Sequence, residues 1–315
     1  MLKFVLWLSI VLIVMAGVLW GFEKLNQWRD NTRFPAPGDF VSLSKYELHR
    51  VCAGPASDIT VWFEAGAGGS SLDWSAIMSE TAMFARVCAY DRAGLGWSQR
   101  QPRPRDLRAL LTDFNEVIQS DSDSEKVVLV GHSFGGFIAE AFARQHPDRV
   151  AGLVLLDALD PSFFQSSADQ ARSQISIMRL GAALSAFGLP RLFGLAQAPP
   201  GTPAEIKPAL ISRAVRGDVL ATIADEAAMM PENLNQFARL PDLPGEIPVT
   251  LISRRQAADG AALDQAWHDA QDTLAARYLG ATRVKSTSDN HYIQFEQPDL
   301  VIEQIRQLIL PDSWE

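Results

Sequence analysis

The chain has 315 residues, 47% of them apolar, and a formal net charge of -9, so it can bury one large core and does not have the composition of a disordered chain. Its 28 lysine and arginine residues form no cluster, which argues against a nucleic-acid partner, because neutralising phosphates requires a basic face. The length permits one or two domains.

The first 24 residues differ in character from the rest. Phe4 to Phe22 are 19 consecutive uncharged residues, followed by Glu23-Lys24, and this run is just long enough to cross a hydrocarbon core. Bulky Trp20 and Phe22 occupy the positions where a cleavable signal peptide would have small residues. We therefore expect a single membrane anchor over residues 1–24. The alternative is a signal peptide that leaves a secreted or periplasmic protein; the flanking charges do not fix the side of the membrane.

Residues 25–39 resemble a polar, proline-bearing linker, after which strands and helices alternate. Residues 40–44 and 46–52 have the pattern of a hairpin. Buried strands are predicted at 59–63, 87–90, 127–130 and 150–156, and helices at 71–84, at 107–118 and directly after Ser133. This alternation predicts a mostly parallel sheet covered by helices, with the functional residues at the carboxyl ends of its strands.

Residues 161–245 interrupt the alternation with a segment rich in alanine and leucine and without a convincing strand. The alternation resumes with strands at 248–252 and 282–285 and helices at 263–279 and 298–310. We expect residues 40–160 and 246–311 to form one α/β core and residues 161–245 to form a helical lid that shapes a pocket. The alternative is a packing element without a role in binding.

The segment KVVLVGHSFGG, residues 126–136, places Ser133 between two glycines where an apolar strand turns into a helix. Such a turn forces the middle residue into a strained backbone and requires neighbours without side chains, which exposes the serine hydroxyl. Ser133 is therefore the candidate nucleophile. A glycine-rich turn without chemistry is the alternative.

Several segments together resemble the α/β-hydrolase superfamily, namely GHSFGG, the earlier FEAGAGGSSLDW and RVCAYDRAGLGWS, and the late NHYIQFEQPDLV. The resemblance extends from Phe40 to Leu310 and is closest to the lid-bearing serine esterase-like branch. It implies an eight-stranded α/β sheet whose second strand is antiparallel, with the helical lid inserted between strands 6 and 7.

A serine hydroxyl needs a base within hydrogen-bond reach to act as a nucleophile. Four of the five histidines, at positions 49, 132, 146 and 268, are interpreted as packing or surface residues. His291 lies in a loop between a strand and the final helix, and it matches the position where the superfamily carries its base. We expect His291 to be the base.

The oxyanion formed during acyl transfer needs two preorganised donors, usually backbone amides. The Phe134 N–H, at the start of the helix after Ser133, is one candidate. The resemblance assigns the other donor to Ala67, although Ala65 stands where many relatives carry histidine. The loop 91–98 is expected to support the site as a salt-bridged turn, with substrate contact by Leu95 or Trp97 as the alternative.

The acid that orients the histidine has several candidates. In most relatives it follows the strand at 248–252, but here no carboxylate occurs after that strand until Asp259. Lipases of the superfamily place the acid one strand earlier, where this chain has Asp157. We expect Asp157, with Asp259 and Asp160 as alternatives; Asp289 is only two residues from His291 and too close in the chain to bond its ring well.

The expected function is hydrolysis of a small-molecule carboxylic ester or related acyl compound by Ser133, His291 and Asp157 through an acyl-enzyme. Alternatives are a C–C bond hydrolase, an amidase, an acyltransferase, or a non-catalytic receptor or scaffold on the same fold. No cofactor motif or metal-ligand spacing occurs, so we expect neither, and the sequence leaves the oligomeric state open. Cys52 and Cys88 are expected to be free buried thiols, or a disulfide if the body faces an oxidising compartment.

Overall fold

A computed structural model describes residues 1–101, 104–121, 125–165, 168–258 and 261–310. Eight strands in these ranges form one sheet in the order β1-β2-β4-β3-β5-β6-β7-β8. The second strand is antiparallel to both of its neighbours, and the other adjacent pairs are parallel. The predicted eight-stranded, mostly parallel α/β sheet is therefore confirmed. The strands are β1 (Asp39–Ser42), β2 (Glu47–Ala53), β3 (Ile59–Glu64), β4 (Arg86–Tyr90), β5 (Lys126–His132), β6 (Val150–Leu156), β7 (Val249–Ser253) and β8 (Thr282–Lys285).

Helices cover both faces of this sheet. In the described ranges they are α1 (Leu2–Arg33), α2 (Ser75–Thr81), α3 (Leu107–Gln119), α4 (Phe134–Gln145), α5 (Pro161–Gln165), α6 (Ala168–Ser185), α7 (Leu189–Leu192), α8 (Lys207–Ala214), α9 (Gly217–Ala228), α10 (Met230–Phe237), α11 (Ala262–Arg277), α12 (Ile293–Glu296) and α13 (Pro298–Ile309). The core consists of two apolar clusters, one on each face. The central strand β5 supplies both, because successive side chains of a strand point to opposite faces: Val127 and Leu129 join one cluster, Val128 and Val130 the other.

Six of these helices, α5 to α10, lie between β6 and β7, where the sequence predicts a helical insertion. Within this insertion α6 packs along α9, and α10 contacts α3 of the core. The insertion therefore packs on the core through α10 and α3.

The helix α1 is longer than the sequence analysis predicts. It continues without a break from the apolar run to Arg33, so residues 25–33 of the predicted linker are helical. No proline occurs before Pro35, and Gln27 bonds Glu23 one turn earlier, which supports the helix in this polar stretch. By length and composition α1 could cross a membrane.

The two cysteines form a disulfide, which corrects the expectation of free thiols. Cys52 on β2 lies directly opposite Cys88 on β4 in the antiparallel register, with their Cα atoms 4.2 Å apart. This register brings the two sulfur atoms together, whereas the spacing of the cysteines in the sequence does not reveal it.

We expect the Cys52→Ala, Cys88→Ala double variant to lose about 3–4 kcal/mol in the free energy of unfolding, since a cross-link over this loop restricts the unfolded chain. Urea denaturation with and without dithiothreitol measures the loss. Reductant should lower the wild type to the level of the double variant and leave the variant unchanged; equal stability of the two proteins without reductant would contradict this role.

Candidate active site

The turn between β5 and α4 has the strained geometry that its sequence predicts. Ser133 has φ 53° and ψ −122°, a conformation that side-chain-bearing residues rarely adopt. A Cβ on Gly131 would lie 2.6 Å from the carbonyl oxygen of Gly135, and a Cβ on Gly135 would lie 2.1 Å from the carbonyl oxygen of Glu64. Both flanking positions therefore require glycine, and Ser133 lies at the carboxyl end of the central strand.

His291 is paired with Asp157 at the same edge of the sheet. The Nδ1 atom of His291 lies 2.6 Å from Oδ2 of Asp157, which follows β6 directly and is fully buried. The backbone N–H of Arg254 donates to the other carboxylate oxygen at 3.3 Å. Burial alone would raise the pKa of Asp157, but the hydrogen bond and charge of His291, the indole of Trp267 and the charge of Arg254 outweigh it and lower that pKa. Asp157 is therefore held as a carboxylate facing the imidazole.

The other candidate acids have different partners or lie outside the described residues. Asp160 bonds Arg277 at 2.5 Å, and Asp289 bonds Arg255 at 3.1 Å on the surface. Asp259 is outside the described ranges. Among the carboxylates that the structure describes, Asp157 is the one that contacts the His291 ring.

His132 packs beside the candidate base. Its ring centroid lies 4.5 Å from that of His291, and its Nε2–H donates to the His291 carbonyl oxygen at 3.0 Å. Burial, together with the nearby His291, lowers the pKa of His132 to about 3. His132 is thus a neutral packing residue that holds the loop carrying His291, consistent with the structural role that the sequence suggested.

An apolar cavity of about 220 Å³ opens at Ser133, and both candidate amide donors line it. Its walls come from the core loops, from the insertion and from α11: Ala67, Ser133, Phe134, Leu159, Phe163, Phe164, Met178, Ile223, Glu226, Ala227, Met230 and Trp267. Phe134 begins α4, so its N–H belongs to the first, unpaired turn of that helix. The nucleophile candidate, the two donor candidates and an apolar chamber therefore share one space.

The comparisons with known proteins agree with the fold. The sequence profile described as alpha/beta hydrolase fold matches residues 60–193. The chain is 35% identical over 108 residues to the abhydrolase domain-containing protein abhd-5.2 of Caenorhabditis elegans, covering 32% of this chain and 24% of that protein. It is 38% identical over 91 residues to a 2-hydroxymuconate semialdehyde hydrolase of Pseudomonas sp. (strain CF600), covering 29% and 32%. The match therefore spans about a quarter to a third of the length of these curated relatives.

Similarity to solved structures covers much more of the chain. A thermophilic esterase from Thermogutta terrifontis matches with a TM-score of 0.64 and 22% identity, over 86% of this chain and 98% of that one. This chain has the α/β-hydrolase fold.

Arg92 contacts the loop that leads to Ala67, the second candidate donor. Its Nη1 donates to the carboxylate of Glu64 at 2.6 Å and to the carbonyl of Ala65 at 2.5 Å, and its Nη2 donates to the carbonyl of Gly66 at 2.7 Å. These are the three residues that precede Ala67. Arg92 therefore fixes the backbone from which the second candidate donor projects.

The same guanidinium also connects this loop to the insertion. Its Nε donates to Glu226 of α9 at 3.0 Å, and Arg105 donates to the same carboxylate at 2.5 Å. Burial would raise the pKa of Glu226, but the two guanidinium groups lower it to about 2. A charged and fully compensated carboxylate thus joins the insertion to the core at the wall of the cavity.

Sequence reasoning anticipated a supporting salt bridge in the loop 91–98 but not its partner, since Glu226 is 134 residues away from Arg92. Leu95 is buried, and Trp97 donates to the carbonyl of Phe34, so both support the loop and neither lines the cavity. Among the described residues, the one metal-compatible cluster contains Cys52 and Cys88, which are bonded to each other.

We expect Arg92→Met to lower the free energy of unfolding by about 3–5 kcal/mol, because it leaves Glu226 and Glu64 buried with one fewer cation. Arg100→Met is the matched control, since Arg100 pairs with Asp225 of the same helix but both side chains are at least 40% exposed. The control should change stability by less than about 1 kcal/mol. Chemical denaturation measures both, and equal losses would refute a special role for the buried cluster.

The buried His132 should also make stability fall in acid. The pKa is about 3 in the folded protein and 6.5 in an unfolded chain, so below pH 6.5 the unfolded state binds a proton that the folded state does not. Stability should therefore fall from pH 6.5 towards pH 3, and His132 should account for about 2–3 kcal/mol of the loss between pH 7.5 and 4.5. Urea titrations of the wild type and His132→Gln at both pH values measure this share. Parallel losses in the two proteins would exclude it.

Proposed function

We propose that the protein is a serine hydrolase of carboxylic esters or closely related acyl compounds. Ser133 Oγ attacks the carbonyl carbon and its proton passes to His291, which then protonates the departing alcohol. Asp157 holds the imidazole and stabilises its charged form, while the N–H groups of Ala67 and Phe134 bind the oxyanion. Water activated by His291 then hydrolyses the acyl-enzyme, and the serine hydroxyl is restored.

The observation that carries the proposal is the 2.6 Å bond between Asp157 and His291. The His291 ring packs on His132, the residue directly before Ser133 in its strained turn. A serine is a weak nucleophile unless a base is oriented towards it, and an ionised buried carboxylate provides that orientation. The positive φ of Ser133 is also a cost of about 1–3 kcal/mol that a turn without chemistry would not need.

The cavity favours an apolar acyl group. Aromatic and thioether side chains dominate its wall, and Glu226, its one carboxylate, is compensated by two arginines. Of the large apolar residues of the insertion, Phe163, Phe164, Met178 and Met230 line the cavity, whereas Phe187 is exposed and Phe237 stacks on Phe137 of the core. We assign the insertion to the role of a lid over this chamber.

For the location, we propose a membrane protein with α1 as its single anchor and the body in an oxidising compartment. The 18-residue window of highest hydropathy in α1 is entirely unburied, as expected of a helix whose apolar surface faces lipid. The Cys52–Cys88 disulfide favours an oxidising side, because cytosolic thiols are kept reduced. Secretion after cleavage of α1 is the alternative.

A fluorophosphonate probe should label the wild type on Ser133 and leave Ser133→Ala unlabelled.

With p-nitrophenyl esters, Asp157→Asn should lower kcat by about 10³–10⁴-fold, since the amide favours the wrong histidine tautomer. Asp259→Asn and Asp289→Asn are the matched controls and should keep wild-type turnover. A wild-type kcat in Asp157→Asn, or its loss in Asp259→Asn, would assign the acid elsewhere.

The non-catalytic alternative, a receptor or scaffold on the same fold, is distinguished by turnover. An enzyme releases many product molecules per chain, whereas a binding protein with a reactive serine releases at most one. Product measured against active-site concentration, with several acyl donors, separates the two.

A further inference from the structure

The insertion exposes several large apolar side chains on two helices, α6 and α7, of which α7 packs against α1. On α6, Ile177, Leu180 and Leu184 recur at helical spacing and point outward, with Ile177 66% exposed. At the end of α7 and directly after it, Leu192, Phe193 and Leu195 are also exposed, Phe193 by 68%. The helices α6 and α7 pack against each other, and we call these six residues the insertion face. Large apolar surfaces exposed to water usually mark a site of interaction with a protein or a membrane.

The helix α7, which carries part of the insertion face, is fixed to α1 by buried and partly buried charges. Glu23 of α1 is 1% exposed and accepts from Nε of Arg191 on α7 at 3.0 Å. The same guanidinium lies 2.8 Å from Asp30, two helical turns further along α1. A Cβ on Gly188 would lie within 3.2 Å of Phe22. The start of α7 thus packs against α1 at the residue where its uncharged run, Phe4 to Phe22, ends.

A second contact fixes the direction of α1. Arg213 on α8 donates to the side chain of Asn31 and to the carbonyl of Phe34, both at 3.1 Å. The carboxyl-terminal part of α1 is therefore held along the insertion over about three turns, from Phe22 to Phe34. The body cannot tilt freely about α1 without breaking these bonds.

This attachment determines how far the insertion face lies from the end of the apolar run of α1. A membrane that contains the run ending at Phe22 has its surface within about one helical turn of Gly188. Leu192 and Phe193 follow Gly188 by only four and five residues. The apolar side chains beside α1 then lie at the boundary between headgroups and acyl chains, where such side chains are stabilised.

We propose that the insertion face rests on the lipid bilayer that α1 spans, so that anchor and insertion form one membrane-binding surface; this rests on the anchorage proposed above. The occupant is lipid rather than a second protein, because the face belongs to the segment that is attached to α1 where its apolar run ends. The surface also indicates a substrate class. Met178 of α6 lines the cavity at Ser133 while Ile177 and Leu180 of the same helix face outward, so one helix separates the cavity from the bilayer. An acyl compound dissolved in the membrane is the substrate that this arrangement favours.

The test uses the full-length protein in phosphatidylcholine nanodiscs, with an environment-sensitive nitrobenzoxadiazole probe on one introduced cysteine at a time. The native cysteines are bonded to each other and do not react with the label. Phe193→Cys reports the insertion face, and Val14→Cys, in the middle of the apolar run, reports the anchor. Met83→Cys, which is 74% exposed at the opposite edge of the sheet, is the matched control. Nanodiscs with brominated acyl chains quench only probes that contact the bilayer interior.

We expect strong quenching at positions 14 and 193, severalfold above that at position 83. Quenching at 14 without quenching at 193 would overturn the docking and leave the anchor intact. A blue-shifted emission at 193 that brominated lipid does not quench would mean that protein covers the face, which also overturns it. No quenching at 14 would overturn the anchorage and, with it, the docking. Wild-type ester turnover in each labelled variant verifies that the fold is retained.

Discussion

The hydrogen bond between Asp157 and His291 is the contact on which the candidate site depends. It joins the end of β6 to a loop more than 130 residues later, and it forms only if β5, β6, β7 and β8 lie in register as one sheet. The backbone at Asp157 also has a positive φ, so the carboxylate is aimed by the same kind of strained turn that aims Ser133. Among non-glycine residues in the described part of the chain, these two alone adopt such a conformation.

A cluster of buried charges holds the insertion to the core. Arg92 touches three consecutive residues before Ala67 and also reaches the insertion through Glu226. Each buried charge in this cluster has a partner of opposite charge. Moving the insertion would separate these partners and leave charges buried without compensation. The position of the cavity wall is therefore coupled to the position of the loop that carries Ala67.

Much of the fold and part of the site could be predicted from the sequence. Alternating apolar segments specify a parallel sheet because the strand period and helix period differ, and the flanking glycines of Ser133 report a backbone that tolerates no Cβ. The sequence limits the candidates for the acid that orients the histidine but does not select one, because both Asp157 and Asp259 follow strands whose ends lie at the same edge of the sheet. Only the position of the side chain relative to His291 distinguishes such residues.

Other features depend on contacts between segments far apart in the chain, and local patterns do not encode these. The Cys52–Cys88 pair follows from the β2–β4 register, and the charge that Glu226 neutralises lies 134 residues away. Residues 25–33 resemble a linker because most of them are polar, but two of them, Asp30 and Asn31, bind Arg191 and Arg213 of the insertion. The insertion shows the same limit: Phe163 and Phe187 are equally apolar, but one faces the cavity and the other faces outward.

The unbroken helix α1 has one more consequence. A domain on a flexible tether samples many orientations, and a random encounter must find the mouth of its cavity. Here the last turns of α1 are bonded to the insertion. Whatever binds the apolar part of α1 therefore also determines the orientation of the rest of the protein. A flexibly tethered protein must search for the correct orientation at each encounter, whereas in this chain the fold itself fixes that orientation.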